Sequence, residues 1–223
     1  MSFSKEEFAK FIDHSVLRPT TGEKDIKRVA QETRDWNFAS MTVNPVWVKL
    51  TAQELKNTGI DVTACISFPF GALPPNQKAY EAREAVKNGA TEIDMVANLG
   101  LILEENWIKA RQDILAVVES VPDIPVKVII ETAYLTDSLK REAARCVAEA
   151  EAAYVKTSTG FAPTGATIHD VKLLAETVGN RIKVKAAGGI RHFEDALSMI
   201  NAGASRLGVS SSIQIMREAG YAP

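Results

Sequence analysis

The run Glu92-Ile93-Asp94-Met95-Val96-Ala97 and its counterpart Val126-Lys127-Val128-Ile129-Ile130-Glu131 decide how the chain reads. Each is a short apolar stretch rich in β-branched residues, followed by a longer stretch of helical periodicity, so each reads as a strand feeding a helix. Working outward, six more runs have the same character: Phe11–Asp13, Phe38–Val43, Ile60–Ile66, Ala152–Lys156, Ile182–Ala186 and Arg206–Val209. Helices are expected between them, for example over Gln77–Lys87 after the turn Gly71–Pro75, and over Ser138–Glu149 after Thr136. Asn88-Gly89-Ala90 and Asn201-Ala202-Gly203 supply the glycines that end helices.

Eight such units in 223 residues leave about 28 residues apiece, the size of one βα repeat in a closed barrel. The expected architecture is therefore an α/β (β/α)8 TIM barrel with a short N-terminal helix, one catalytic domain over residues 1–223. An open doubly wound sheet would carry a Gly-rich fingerprint after its first strand, and Ile12-Asp13-His14-Ser15-Val16 contains no glycine. Composition agrees with a globular protein: 46% hydrophobic, 24% charged, net charge −2. That balance gives no electrostatic reason to bind nucleic acid or anionic membranes. No secretory signal pattern opens the chain and no apolar run is long enough to span a bilayer. Cys65 and Cys146 form no CxxC pair and are expected as buried, reduced thiols of a cytoplasmic protein.

In barrel strands alternate side chains point inward, and chemistry gathers at the strand C-termini. Strand four places Glu92 and Asp94 on one face and Ile93 and Met95 on the other. Strand five groups Lys127, Ile129 and Glu131, strand six ends on Lys156, and strand seven groups Lys183 with Lys185. Charges recurring at one parity of four successive strands do not suit the apolar layer beneath the helices, so they are assigned to the interior. Glu92, Lys127 and Lys183 read as a structural ion network low in the barrel, since buried charges persist only when paired. Asp94, Lys156 and Lys185 lie toward the strand ends, and two lysines beside one carboxylate make an arrangement that stability alone does not select.

A lysine with an ordinary pKa near 10.4 is protonated at neutral pH, so a nucleophilic one must lose about 3 units, roughly 4 kcal/mol. A second ammonium about 4 Å away supplies about that much at an effective dielectric near 20. Lys185 is thus expected to activate Lys156. Asp94 is expected to act mainly as a proton carrier, with an intervening water between it and the reacting carbons, because a bare carboxylate adjacent to Lys156 would hold its proton in place.

Lys156-Thr157-Ser158-Thr159-Gly160-Phe161, Val184-Lys185-Ala186-Ala187-Gly188-Gly189-Ile190-Arg191, the Asp94 strand and the opening Ile12-Asp13-His14-Ser15 together resemble the deoxyribose-phosphate aldolases. The resemblance runs in the same order over nearly the whole chain. It implies a class I lyase of deoxyribose catabolism that reversibly cleaves 2-deoxy-D-ribose 5-phosphate to acetaldehyde and D-glyceraldehyde 3-phosphate. It further implies a Schiff base on Lys156, assistance from Lys185 and proton shuttling by Asp94. An iminium between Lys156 and the C1 aldehyde is an electron sink, so the C2–C3 bond breaks once the C3 hydroxyl is deprotonated. No metal and no cofactor is then required; the partners are a sugar phosphate and an aldehyde, and such barrels often pair as homodimers.

Two departures from the family pattern stand out. Thr42-Val43-Asn44-Pro45 replaces a stretch that often begins with cysteine, and Phe161 stands where some members carry a lysine. The first removes a nucleophile near the site, the second a cation for the phosphate. Phosphate binding is therefore expected from Gly188 and Gly189 after strand seven and from Ser210 and Ser211 after strand eight, where barrels of this kind bind phosphate through backbone N–H groups. Thr159 and Gly160 beside the lysine, and Asp13 on strand one, complete the expected substrate-binding set; Arg191 reads equally as a phosphate contact or a surface residue. His14, His169 and His192 lack metal-ligand spacing, and only His14 is placed near substrate. Trp36, Trp47 and Trp107 read as packing between helices or at a subunit interface. A catalytically silent sugar-phosphate-binding barrel is the alternative function, against which the intact Asp94, Lys156 and Lys185 argue.

Overall fold

In the computed structural model, which describes residues 3–223, eight parallel strands close into a barrel in chain order. They are β1 Ile12–Val16, β2 Ser40–Val43, β3 Asp61–Ile66, β4 Glu92–Val96, β5 Val126–Ile129, β6 Tyr154–Lys156, β7 Lys183–Ala187 and β8 Arg206–Val209, the last pairing back onto β1. Parallel neighbours cannot be joined by hairpins, so each return is made by a crossover that carries a helix. The helices are α1 Lys5–Ala9, α2 Glu23–Trp36, α3 Val48–Glu54, α4 Pro75–Lys87, α5 Leu99–Leu103, α6 Trp107–Val118, α7 Asp137–Glu149, α8 Ile168–Val178, α9 Phe193–Asn201 and α10 Ser212–Glu218.

The starts of several helices follow from local chemistry. In α1 the Ser4 hydroxyl accepts the Glu7 N–H while Glu7 accepts the Ser4 N–H, a reciprocal cap that stabilises a helix of only five residues. Thr136 caps α7 by accepting from Leu139 N, and Pro75 occupies the first turn of α4, where its missing N–H is not needed. Among the described residues no helix is long and apolar enough to cross a membrane.

Inward and outward strand faces carry opposite chemistry. Ile93, Met95, Val128, Val155, Val184, Ala186 and Leu207 are buried between barrel and helices as one continuous apolar core. The alternate positions face the barrel axis and hold the charges. Strand five is shorter than its apolar run suggests, because Glu131 turns into a left-handed conformation and ends the extended chain. Strand one runs further than Phe11–Asp13, through Val16, because β2 continues to pair with it there. Outside the barrel, the fully buried Lys78 of α4 sits 2.7 Å from Asp113 of α6 and donates to Val96 O at 2.9 Å, tying both helices to the end of β4.

Candidate active site

Strand register brings the inward charges to neighbouring positions: Asp94 pairs with Lys127, while Lys156, Lys185 and Arg206 are successive partners across β6, β7 and β8. Within ion-pair distance, four cations share three carboxylates. Lys156 Nζ lies 2.6 Å from Asp94 Oδ2, and Lys185 Nζ lies 2.8 Å from the same oxygen. Lys185 also reaches Asp13 Oδ2 at 2.5 Å. Lys127 binds Glu92 Oε2 at 2.6 Å and stands 3.4 Å from Asp94 Oδ1. Arg206 closes the cluster on Asp13 Oδ1 at 2.5 Å and Glu92 Oε1 at 3.3 Å. Gly208 faces this cluster from β8, and a Cβ there would stand 3.1 Å from Lys185 Cε, so its bare backbone makes room for the second lysine.

Burial alone would raise the pKa of Asp94, but Lys156, Lys185 and Lys127 outweigh it and hold the carboxyl well below its ordinary value. Asp13 is likewise buried yet depressed, by Lys185, Lys127 and Arg206. Burial opposes the charge on Lys185, but Asp13 and Asp94 raise its pKa above the usual lysine value, so it is a fixed cation. Burial pushes the neighbouring Cys65 thiol up to about 12, which leaves it an inert core group.

Above the cluster opens a cavity of about 820 Å³, lined by Lys156 and Lys185 together with the chain just beyond β1, β6, β7 and β8. Thr159, Gly160, Gly188, Gly189, Ser210 and Ser211 all line it, as do Arg191, His14 and Thr42. The N–H groups of Gly160, Gly189 and Ser211 have no acceptor among the described residues and are free to meet an anion. Phe161 is half exposed on the wall, edge-on to Phe68 at 5.4 Å, and makes that part of the wall apolar.

Two expectations are corrected. Asp13 does not contact the cavity; it lies beneath it, fully buried between Lys185 and Arg206. Lys183 does not join the lower ion network. It is exposed at the first position of β7, its Nζ 5.7 Å from the Tyr154 ring, and Arg206 takes the place expected of it beside Glu92. Asp94 touches Lys156 directly, at 2.6 Å. His14 is held on both ring nitrogens, by Ser212 Oγ at 2.7 Å and Glu32 Oε2 at 3.1 Å. His169 lies outside the barrel with Asp137 and Asp170, where the Lys140 ammonium already bridges the two carboxylates.

Residues 8–217 match the family model of the DeoC/LacD family aldolases. The chain belongs to that family. It is 47% identical over 210 residues to the deoxyribose-phosphate aldolase of Streptococcus suis, covering 94% of this chain and 96% of that one. Identity to the deoxyribose-phosphate aldolase of Carboxydothermus hydrogenoformans is 47% over 218 residues, with 96% of each chain covered. Among solved structures, a Coccidioides immitis protein superposes with a TM-score of 0.96 at 36% identity, covering 99% of this chain and 88% of that one. The tetrameric deoxyribose phosphate aldolase of Aeropyrum pernix gives a TM-score of 0.90 at 30% identity, covering 96% and 91%. Within this DeoC/LacD family aldolase, sequence reading missed Arg206 in the ion cluster and the grip of Glu131 on Thr159. Arg206 had a usable signal, since it shares the inward parity of Gly208 on a short strand. Glu131 had none, because a left-handed turn after an apolar run leaves no mark in composition.

Proposed function

We propose that this DeoC/LacD family aldolase reversibly cleaves 2-deoxy-D-ribose 5-phosphate to acetaldehyde and D-glyceraldehyde 3-phosphate through a Schiff base on Lys156, using residues 1–223 as one catalytic barrel. The observation that carries the reading is a pair of ammonium groups on one Asp94 oxygen at the floor of a cavity. Lys185 is tied to two carboxylates and is fully buried, whereas Lys156 meets one and is the freer to react. The cluster holds one more positive than negative charge, so loss of a proton from Lys156 leaves it balanced.

Lys156 then attacks the C1 aldehyde and, after loss of water, forms an iminium. Removal of the C3 hydroxyl proton lets the C2–C3 bond break, its electrons neutralising the iminium nitrogen as the enamine forms. Asp94 is the base that takes this proton as the bond breaks. It carries the C3 hydroxyl proton to C2, and hydrolysis releases acetaldehyde. The phosphate is read at the other end of the substrate by backbone N–H groups at Gly160, Gly189 and Ser211, with the Ser210 and Ser211 hydroxyls and Arg191 beside them. The same reading places the enzyme in the cytoplasm and pairs it as a homodimer, for which the exposed Val46, Phe70 and Tyr80 offer apolar surface.

Borohydride reduction in the presence of acetaldehyde, followed by peptide mass spectrometry, tests site and mechanism together. The expected adduct is on Lys156, and Lys156→Ala abolishes turnover while chelators leave the wild type unaffected. An adduct on Lys185, or activity lost to a chelator and restored by zinc, refutes the assignment.

A further inference from the structure

Glu131 lies outside the ion-paired cluster, yet it is 3% exposed and holds φ 51° and ψ 69°, a left-handed conformation unfavourable for any residue with a Cβ. Its neighbours extend the pairing of β5 with β6: Ile130 N–H donates to Lys156 O at 3.1 Å and Thr132 N–H to Thr157 O at 3.0 Å. Between those two bonds the Glu131 carboxylate meets Thr159. The Thr159 N–H lies 3.2 Å from both carboxylate oxygens, and the Thr159 hydroxyl donates to Oε2 at 2.5 Å. That hydroxyl oxygen in turn accepts the Phe161 N–H at 3.0 Å. The N–H groups on either side of Gly160 are thus occupied, and that of Gly160, on the cavity wall, is left over. Burial raises the Glu131 pKa above the ordinary glutamate value despite the bonds from Thr159 and the field of Lys156. A position chosen for packing alone would hold an apolar side chain.

We propose that Glu131 is a positioning residue: by gripping Thr159 on both its N–H and its hydroxyl, it fixes the turn that presents the Gly160 N–H to the substrate phosphate. This rests on the phosphate-binding reading given above. The consequence is a selective one. Loss of the grip weakens phosphorylated substrate and leaves the chemistry at Lys156 and the binding of unphosphorylated sugar as they were.

Glu131→Gly keeps the left-handed backbone without steric cost while removing the carboxylate, so it separates the side chain from the turn it stands in. In this variant KM for deoxyribose 5-phosphate is expected to rise about tenfold or more, the scale of one lost charge-assisted hydrogen bond. The kcat and the KM for unphosphorylated deoxyribose are expected to stay near wild type. Glu131→Gln, which keeps one acceptor, recovers part of the loss. Thr159→Val likewise raises KM for deoxyribose 5-phosphate, and combining it with Glu131→Gly adds little to that rise, because both act on one contact. Should Glu131→Gly fail to fold by circular dichroism, the Glu131→Gln and Thr159→Val pair carries the same comparison. Equal losses for both substrates, or an unchanged KM with a collapsed kcat, overturn the role of Glu131. Absence of wild-type turnover of deoxyribose 5-phosphate would instead remove the aldolase reading itself.

Discussion

Replacing Lys185 by Leu removes the cation that shares an oxygen with Lys156 and leaves the rest of the cluster paired. Asp13 keeps Arg206 at 2.5 Å and Asp94 keeps Lys156 and Lys127, so no carboxylate is stranded and the barrel is expected to fold. The two ammonium nitrogens stand 2.6 and 2.8 Å from Asp94 Oδ2 and so lie within about 5 Å of one another, where their repulsion is roughly 3 kcal/mol at an effective dielectric near 20. Without Lys185 that repulsion no longer favours the neutral amine, and Asp94 serves Lys156 alone. At pH 7 kcat/KM is therefore expected to fall by roughly a hundredfold, the equivalent of 3 kcal/mol. The deficit should narrow as the pH is raised toward 9.5, because hydroxide then offsets the lost repulsion. The assay is initial-rate acetaldehyde release from deoxyribose 5-phosphate across that range, with burst-free single-turnover measurements to keep chemistry in view. A deficit constant from pH 7 to 9.5 would refute the electrostatic argument and assign Lys185 to proton transfer or substrate orientation instead.

Thr42 lines the cavity where relatives of this pattern often carry a thiol, so the wild type should resist inactivation by acetaldehyde and Thr42→Cys should lose activity faster; equal decay rates of the two would count against it. Ser211→Asp places a negative charge beside the free N–H groups and should lower kcat/KM for deoxyribose 5-phosphate far more than for deoxyribose, as paired kinetics would show. Lys78→Met strands the Asp113 carboxylate at zero exposure and should destabilise the fold by about 3–5 kcal/mol, a fall in Tm on the order of 10 °C by calorimetry. Adding Asp113→Leu should restore most of that loss; a double variant no more stable than the single would show that packing, not the stranded charge, sets the cost.

Much of this was legible along the chain because periodicity is a local property. Alternation at Glu92–Val96 and Val126–Ile129 told which side chains turn inward, and strand ends told which of those stand near the cavity. Lys156 and Lys185 emerged from parity and position alone. Glu131 escaped because it obeys the parity of its strand in sequence but leaves that strand in space, through a backbone conformation that apolar neighbours do not announce. Lys183 was misplaced for the opposite reason: it has the inward parity but stands at the first residue of β7, where inward means the open end of the barrel.

By itself, then, the sequence determined the repeat, the inward face of each strand and the lysine motifs, all of which depend on residues within a few positions of one another. Only the tertiary structure decided which inward groups meet. Asp13 and Arg206 are 193 residues apart and become partners because β8 closes on β1, and that closure leaves Asp13 beneath the cavity and gives it to Lys185. Parity states that a side chain points to the axis. The height at which it meets its neighbours is set by the stagger of the strands and the length of the side chains, and those exist only once the barrel is closed.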